Sequence, residues 1–458
     1  MDMVFLVVGF AVVVAVAGFL LFRVDVGLAG VQRLLAKARY IEAIDILKRL
    51  AERRKKANPL AWFLARAYAG LEDFDNALIQ LKRIPQTEVR TNRYFSQLDF
   101  YLFLSDVNEK LGLNDEAVKY LVYLKNTGYD IWIVNYLIAR NFHEMKDDRK
   151  AVHFLETALK KNPKSSESLG LMGVIHYELK NWISGLEFLK KAHYLDPYDQ
   201  AARIYLGFTY FRREMFTLAI DSLRDAVPPE DIREEFLYIL GSSYYKVKDY
   251  SNAFVKLNTL ISRSSTNAGY YKDILYKLAH SAEQTGKYDE ARDFWGRLHS
   301  LDDKYQDVAL RNKLAKLYST HEAFKVYLFS SLHHFKTMVR SMLEVQDYRV
   351  NSIDDIGSGI VEATASRRIE ADNREKMLFR FIRAPEVIDK EVLSLFYQKM
   401  KDNQCRLGSI HTIGVQDPEV EKLTHVYSIE VKNEDAVVDM ADKAFDTYRR
   451  QMGASIKI

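Results

Sequence analysis

Few side chains in this sequence have the types and spacing that catalysis or metal binding requires. His333 and His334 are adjacent and His411 stands alone, without cysteine or acidic companions at the spacing of metal ligands. Arg406 could lower the thiol pKa of the single cysteine, Cys405, although a lone cysteine is more often a buried small apolar side chain. We therefore predict no catalytic residue, no metal site and no cofactor.

Nucleotide-binding and nucleophile motifs are also absent. The sequence has no phosphate-binding Walker loop, no glycine fingerprint of a dinucleotide site and no serine nucleophile motif. The formal net charge of +4 over 458 residues is close to balanced, whereas proteins that bind nucleic acid through its phosphates usually carry a larger or more clustered excess. The sequence thus predicts a protein that is neither an enzyme nor a nucleic-acid binder.

A short pattern repeats every thirty-four residues between residues 130 and 260. The structural elements that it indicates must position any binding residues in this part of the chain. In its clearest copies a small residue precedes a second small residue by twelve positions, as Gly173 precedes Gly185 and Gly207 precedes Ala219. Small side chains at such spacing let two antiparallel helices approach closely, while large apolar residues fill the space between neighbouring pairs. This pattern resembles the tetratricopeptide repeat (TPR).

The resemblance implies a TPR superhelical solenoid. With the segments on either side of it, described below, the sequence predicts a mainly α protein in which the solenoid is preceded by one transmembrane helix and followed by a small α/β domain. Eight helix pairs are predicted from the second small position of each repeat. The intervals between these positions are 34 residues, except for two of 40 and 38 where polar stretches lengthen the repeat. The segment 308–318 is predicted to add a capping helix. The eight positions are Ala43, Ala77, Ala117, Ala151, Gly185, Ala219, Ala253 and Ala291.

Proteins of this family typically hold peptides or other subunits in a groove lined by the first helix of each pair. Aromatic and arginine side chains in such a groove are the usual anchors of a protein interface. The alternative is that these side chains pack between repeats. Projecting the repeat register onto this sequence places nine candidates on the inner surface: Tyr136, Arg140, His143, Ile204, Phe208, Arg212, Tyr238, Tyr245 and Lys246.

Residues 3–22 contain no charged or strongly polar side chain, which predicts a transmembrane anchor. Twenty helical residues at about 1.5 Å each just cross the roughly 30 Å hydrocarbon core of a bilayer. A cleaved signal peptide or a buried core helix are the alternatives. The start Met1-Asp2 and the absence of a small-residue cleavage site favour an anchor that is retained.

The flanking charges predict the orientation of this anchor. Between Arg23 and Ala57 there are ten Lys or Arg residues and four Asp or Glu residues. The positive-inside rule therefore places the bulk of the chain in the cytoplasm of a bacterium, attached to the inner membrane, with a periplasmic location as the alternative. The basic cluster Arg53, Arg54, Lys55 and Lys56 could contact anionic lipid headgroups, or it could be a solvated helix end.

The periodicity changes near residue 325, and strands there alternate with helices. We predict helices at 333–343, 390–402, 418–424 and 435–448 and strands that begin near 348, 360, 376, 407 and 427, with a turn at Gly357–Gly359. Such alternation argues for a small α/β domain whose sheet is mostly parallel in its second half. The predicted domains are therefore 1–24, 25–325 and 326–458.

The order of these elements, with the run 384–389, resembles the restriction-endonuclease-like domain of the Mrr type. The chemistry of that family needs one acid after the first strand and an acid or Gln two residues before a Lys on the next strand, so that carboxylates hold Mg²⁺. Glu362 could be a remnant of the first acid. Leu378 to Arg383 offers no carboxylate paired with a lysine, so the domain is expected to be inactive.

Together these features predict a membrane-anchored scaffold that assembles a multiprotein membrane complex through its TPR groove. The arrangement is similar to membrane-bound TPR adaptors of envelope biogenesis, and also to the repeat proteins that build the flagellar-motor collar in spirochaetes. A periplasmic collar component is one alternative function. A membrane-tethered nuclease or nucleic-acid sensor is the second.

Overall fold

The computed structural model describes residues 28–52, 58–262, 269–370 and 373–453 of the chain. The predicted anchor at residues 3–22 and the basic cluster at residues 53–56 lie outside these ranges. Nowhere within them is a helix long and apolar enough to cross a membrane. The chain divides into two compact units, an N-terminal unit that ends at Pro228 and a C-terminal unit that begins at Pro229.

The N-terminal unit consists of helices that follow one another as pairs. A helical segment at residues 28–36 leads into α1, and one short helix, α4, lies in the first of the two longer intervals. The helices are α1 (Tyr40–Glu52), α2 (Asn58–Gly70), α3 (Phe74–Lys82), α4 (Gln86–Val89), α5 (Gln97–Lys110), α6 (Asn114–Asn126), α7 (Trp132–Glu144), α8 (Asp148–Lys161), α9 (Ser166–Glu178), α10 (Trp182–Leu195), α11 (Gln200–Arg212) and α12 (Phe216–Leu223).

The C-terminal unit begins with the same kind of helix pair and then changes to a sheet. The helices before the sheet are α13 (Arg233–Lys246), α14 (Tyr250–Ile261), α15 (Tyr271–Gln284), α16 (Tyr288–Leu301), α17 (Val308–Thr320), α18 (Glu322–Phe329) and α19 (Leu332–Glu344). The described residues thus contain the eight predicted pairs. The helix predicted at 308–318 is present as α17, but it does not cap the array, because the core it belongs to continues into α18, α19 and the sheet. The predicted domain boundaries stay a prediction, and the one at residue 325 falls within α18.

The turn inside each pair has the same backbone conformation. One residue there adopts a positive φ, between 55° and 76°, and these residues repeat with the spacing of the small positions. Glycine tolerates this conformation without cost, but only Gly112 and Gly286 are glycines. The other positions carry Ala38, Glu72, Lys146, Lys180, Glu214 and Lys248.

Small residues set the distance between the two helices of a pair. All eight predicted small positions are buried. A Cβ atom added to Gly173 would lie 2.5 Å from Cγ of Leu189, and one added to Gly207 would lie 2.5 Å from Cγ of Leu223. These separations are far below van der Waals contact, so the leucine of the second helix occupies the space that a larger residue would need.

The sheet has five strands in the order β1-β2-β3-β4-β5. The strands β1 (Arg349–Gly357), β2 (Ile360–Glu370) and β3 (Asn373–Ile382) are antiparallel neighbours, whereas β4 (Leu407–Thr412) and β5 (Ile429–Lys432) extend the sheet in parallel. The helices α20 (Lys390–Asp402), α21 (Val420–Tyr427) and α22 (Glu434–Met452) alternate with the later strands. The predicted α/β elements, and the parallel pairing of the second half, are therefore confirmed.

The two faces of the sheet belong to different hydrophobic cores. Phe379 and Phe381 point into a core that continues through α15 to α19 and α22, while Leu378 and Ile382 point into a second core with α20. This alternation follows from the two-residue period of a strand. The sheet therefore shares one continuous core with the last helix pairs of its unit.

Candidate binding sites

A groove of about 610 Å³ lies on the first helices of three successive pairs in the N-terminal unit. Its walls come from α2, α5 and α7 and from the segment before α5. Half of its lining is apolar or aromatic and half is polar or charged. The lining residues are Trp62, Arg66, Tyr94, Phe95, Asp99, Leu102, Phe103, Ser105, Asp106, Glu109, Leu137 and Arg140.

Aromatic stacking holds the apolar wall of this groove in place. The ring of Trp62 lies 4.4 Å from that of Phe95 and meets Phe103 edge-on at 5.4 Å. Trp62 and Phe95 are buried, so they form the rigid floor. Leu102, Phe103 and Leu137 are half-buried and therefore keep apolar surface open to a ligand.

The charged wall contains one ion pair between neighbouring first helices. Nη2 of Arg140 donates to Oε2 of Glu109 at 2.7 Å, and Nδ2 of Asn141 donates to the same oxygen at 3.1 Å. Burial disfavours the charge of Arg140, but the hydrogen bond and charge of Glu109, together with Tyr136, outweigh it, so the pKa of the guanidinium is raised. The lining carries three carboxylates and two guanidinium groups, which leaves a surplus of negative charge.

The predicted groove residues of the fourth pair have different positions. Arg140 lines the groove, and its guanidinium lies 5.7 Å from the ring centre of the half-buried Tyr136. His143 is buried, with Nδ1 2.8 Å from Oδ1 of Asp148, so its ring is held within the pair. His143 Nε2 lies 3.9 Å from Glu178 Oε1, and these three side chains are the one described group that could hold a metal ion.

The prediction fails for two residues of the sixth pair, because the structure buries them. Ile204 and Phe208 have no exposed surface, and Phe208 packs on the rings of Tyr177 and Tyr205. They fill the space between neighbouring first helices, which needs large apolar side chains. Arg212 is exposed at the end of α11, and its Nε donates to the hydroxyl of Tyr177 at 3.4 Å.

Two of the three predicted residues of the seventh pair belong to a chain of polar contacts between α13 and α15. The Tyr238 hydroxyl donates to Oδ2 of Asp273 at 2.9 Å, and the Tyr245 hydroxyl lies 2.9 Å from Nδ1 of His280. Burial raises the pKa of Tyr245 to about 12 and lowers that of His280 to about 4, so both are neutral near pH 7. Lys246 is exposed.

A second cavity, of about 460 Å³, lies in the C-terminal unit. Glu283 lies in its wall, with Oε1 accepting from Trp295 Nε1 at 2.8 Å and from the Tyr318 hydroxyl at 3.1 Å. Arg311 pairs with Oε2 at 3.5 Å and with Asp307 at 2.9 Å. Burial raises the pKa of Glu283, and these donors hold its carboxylate in place.

The repeat register also reaches two acids that were not predicted as groove residues, Glu283 and Glu109. Glu283 follows Tyr245 by 38 residues, the interval from Ala253 to Ala291, and Glu109 precedes His143 by 34 residues. The register that selected Tyr245 and His143 therefore also selects these two acids.

The structure places Glu362 in an ion-paired cluster on the sheet face covered by α20. Oε1 of Glu362 accepts from Arg380 Nη2 at 2.6 Å, and Oε2 accepts from Lys399 Nζ at 2.6 Å. Arg380 is its direct partner across β2 and β3. Both carboxylate oxygens are thus engaged by cations, and Glu362 belongs to no group of three possible metal ligands within the described ranges.

No protein-family model matches the chain, and no curated protein sequence matches it either. The chain is similar to the solved structure of the APC/C hetero-tetramer Cut9-Hcn1, with 15% identity, a TM-score of 0.37 and coverage of 64% of this chain. It spans 55% of the length of that chain.

Two further solved structures are covered over nearly their whole length. A tetratricopeptide repeat protein from Parabacteroides merdae shows 13% identity and a TM-score of 0.36, with 57% of this chain and 98% of that chain covered. YrrB, described as a TPR protein with an unusual peptide-binding site, shows 13% identity and a TM-score of 0.36, with 42% and 97% covered.

Proposed function

We propose that this protein is an interaction scaffold whose N-terminal unit binds a peptide segment of a partner protein. The observation that carries the proposal is the groove of about 610 Å³ on α2, α5 and α7. It combines a rigid aromatic floor with half-buried apolar side chains and a rim of charges. Interfaces derive most of their binding energy from such a combination.

The lining indicates the chemistry of the bound segment. Leu102, Phe103 and Leu137 offer apolar surface, which suits one or two large apolar side chains of the peptide. Glu109 and Arg140 already neutralise each other, which leaves Asp99 and Asp106 against one guanidinium. The expected segment therefore carries a Lys or Arg beside its apolar residues.

Membrane anchoring is a finer part of the proposal and rests on the sequence. The uncharged run at residues 3–22 would tether the scaffold, and the basic flank would keep it on the cytoplasmic side. A tethered scaffold with a peptide groove suits the assembly of a membrane complex. A periplasmic envelope assembly such as a motor collar is the alternative if the orientation is reversed.

We propose no nuclease activity for the C-terminal unit. The carboxylate of Glu362 is bound by Arg380 and Lys399, so it has no free oxygen for Mg²⁺. Mg²⁺-dependent cleavage of DNA by the full chain that disappeared in Glu362→Ala would contradict this part of the proposal.

A random peptide library selected on the purified full chain tests the groove. We expect enriched peptides with large apolar residues and a Lys or Arg, bound with one peptide per chain. Phe103→Ala and Leu137→Ala should each weaken their binding by about tenfold, because truncating an interface anchor costs more than roughly 1 kcal/mol.

Two further variants make the test specific. Leu218→Ala removes a similar exposed leucine from α12, outside the groove, and should leave binding unchanged. Asp106→Lys should weaken the binding of peptides that contain a basic residue more than the binding of matched peptides that lack one. The proposal would be contradicted if no peptide is enriched. It would also be contradicted if the selected peptides bind the groove variants as tightly as the Leu218→Ala control.

A further inference from the structure

The cavity of the C-terminal unit contains two arginines with very different partners. Its walls come from helices α15 to α18, from the turn between β1 and β2, and from the segment that follows β3. Arg311 and Arg383 both line it. Arg311 is bound by the carboxylates of Asp307 and Glu283.

Arg383 has no carboxylate partner within ion-pair distance among the described residues. Its Nη1 donates to the backbone carbonyl of Ser330 at 2.6 Å, and its guanidinium lies 4.6 Å from the ring centre of Phe335. The side chain is half-buried, and burial lowers its pKa. A guanidinium has five N–H donors, and the protein accepts from few of them here.

The exposed carboxylate of Asp355 attracts this guanidinium from beyond ion-pair distance. A half-buried charge without a bound counter-ion is costly, and proteins usually compensate it. The planar fork of donors on arginine fits the two oxygens of a carboxylate or phosphate. Glu283 cannot supply this compensation, because Trp295, Tyr318 and Arg311 already occupy its oxygens. The cavity is also of the size that holds small ligands.

We propose that this cavity binds a small molecule that carries a carboxylate or phosphate group on an apolar body. The oxyanion pairs with Arg383, and the apolar body lies against Leu314, Tyr318, Phe329 and Pro385, which line the same cavity. This function is separate from peptide binding in the N-terminal unit, and it makes the C-terminal unit a ligand-binding element.

Titrations by saturation-transfer NMR on the full chain test this site with four probes. Benzoate and phenyl phosphate supply the two oxyanions on an aromatic body, benzamide is the neutral counterpart of benzoate, and inorganic phosphate lacks the apolar body. We expect benzoate or phenyl phosphate to bind at one site and benzamide to bind about tenfold more weakly or not at all. Tighter benzoate indicates a carboxylate ligand, and tighter phenyl phosphate or inorganic phosphate indicates a phosphate.

Variants assign the binding to the cavity. Arg383→Gln should lower the affinity for the oxyanion probe by about tenfold or more, and Arg383→Lys should retain part of that affinity. Ala384→Leu fills the cavity without changing its charge and should also weaken binding. Arg292 lies on α16 outside the cavity lining, so Arg292→Gln should have no effect.

Several results would overturn the proposal. The first is that none of the oxyanion probes binds. The second is that benzamide binds as tightly as benzoate. The third is that neither Arg383→Gln nor Ala384→Leu changes the binding. The near-ultraviolet circular dichroism of Arg383→Lys and Ala384→Leu, compared with that of the wild type, distinguishes lost binding from lost folding. A variant that binds more weakly but keeps the wild-type spectrum supports the assignment of binding to this cavity.

Discussion

At the scale of single residues, buried charges in the C-terminal unit are held by several partners each. Glu283 accepts hydrogen bonds from Trp295 and Tyr318 and forms an ion pair with Arg311, and Glu362 accepts from Arg380 and Lys399. Pairing offsets part of the cost of removing a carboxylate from water. Such partners come from distant parts of the sequence, so the sequence indicated Glu362 as a residue of interest but not its partners.

Glu362→Gln should lower the free energy of unfolding by about 3–5 kcal/mol, because it leaves Arg380 buried without a counter-charge. Urea unfolding of the full chain measures this change. Lys432→Gln breaks the partly exposed pair with Glu430 and should cost at most about 1 kcal/mol. Equal effects of the two variants would show that the Glu362 cluster is not stabilising.

The buried His411 predicts a loss of stability in acid. Its ring stacks on Phe381 at 4.4 Å and is completely enclosed, and burial lowers its pKa to about 3. The unfolded chain binds a proton near pH 6.5 but the folded chain does not, so stability is full above pH 6.5 and falls as the pH drops toward 3. Between pH 7 and pH 5 this side chain should remove about 2 kcal/mol of unfolding free energy.

His411→Phe keeps the stacked ring but cannot titrate. Its unfolding free energy, measured in urea at pH 7 and pH 5, should therefore fall by about 2 kcal/mol less than that of the wild type. The pKa of His280 is also lowered by burial, but its contribution to the pH dependence is the same in both proteins and cancels in the comparison. An identical pH dependence in the two proteins would contradict the assignment to His411.

At the scale of elements, the repeat made the helix pairs predictable. A small residue every thirty-four positions marks where two helices cross, and all eight such positions are buried. The same register did not separate groove residues from core residues, because Phe208 and Arg140 lie at equivalent positions and only Arg140 is charged. A large apolar side chain at that position packs between first helices, whereas a charged one stays at the surface.

Two glycines of α9 provide a matched test of the close helix contact. Gly173→Ala should lower the free energy of unfolding by about 1–3 kcal/mol, because its Cβ would meet Leu189 at 2.5 Å. A Cβ at Gly170 would meet its neighbours at 3.6 Å or more, so Gly170→Ala should be neutral or stabilise by up to about 1 kcal/mol. Urea unfolding measures the stability of both variants. If Gly173→Ala is as stable as Gly170→Ala, the proposed close contact between the helices is contradicted.

At the scale of the whole molecule, composition and motifs limited the possible functions more than they identified one. The near-neutral charge and the absence of nucleotide motifs favoured a scaffold. The cavity with Arg383 could not be predicted, because α17, the β1–β2 turn and the segment after β3 meet only in the folded unit.

The proposed cytoplasmic orientation of the chain rests on the basic flank of residues 3–22. If the proposal holds, a fluorescent protein fused after Ile458 should fluoresce and alkaline phosphatase at the same place should be inactive. The reason is that ten Lys or Arg residues against four acids favour the cytoplasm for this side of the anchor. Fluorescence and phosphatase activity of the two fusions in cells measure this. Active phosphatase without fluorescence would reverse the orientation and favour the periplasmic alternative.

Site-specific photo-crosslinking in cells tests the central claim, that the N-terminal groove binds a partner segment. A photoreactive phenylalanine analogue is placed at Phe103 or Leu137 in the groove, and at Leu218 as an exposed control. We predict one shared crosslinked protein from the two groove positions, none from position 218, and loss of the crosslink when Asp106→Lys is added. Crosslinks that are absent from the groove, or equal at all three positions, would contradict the account.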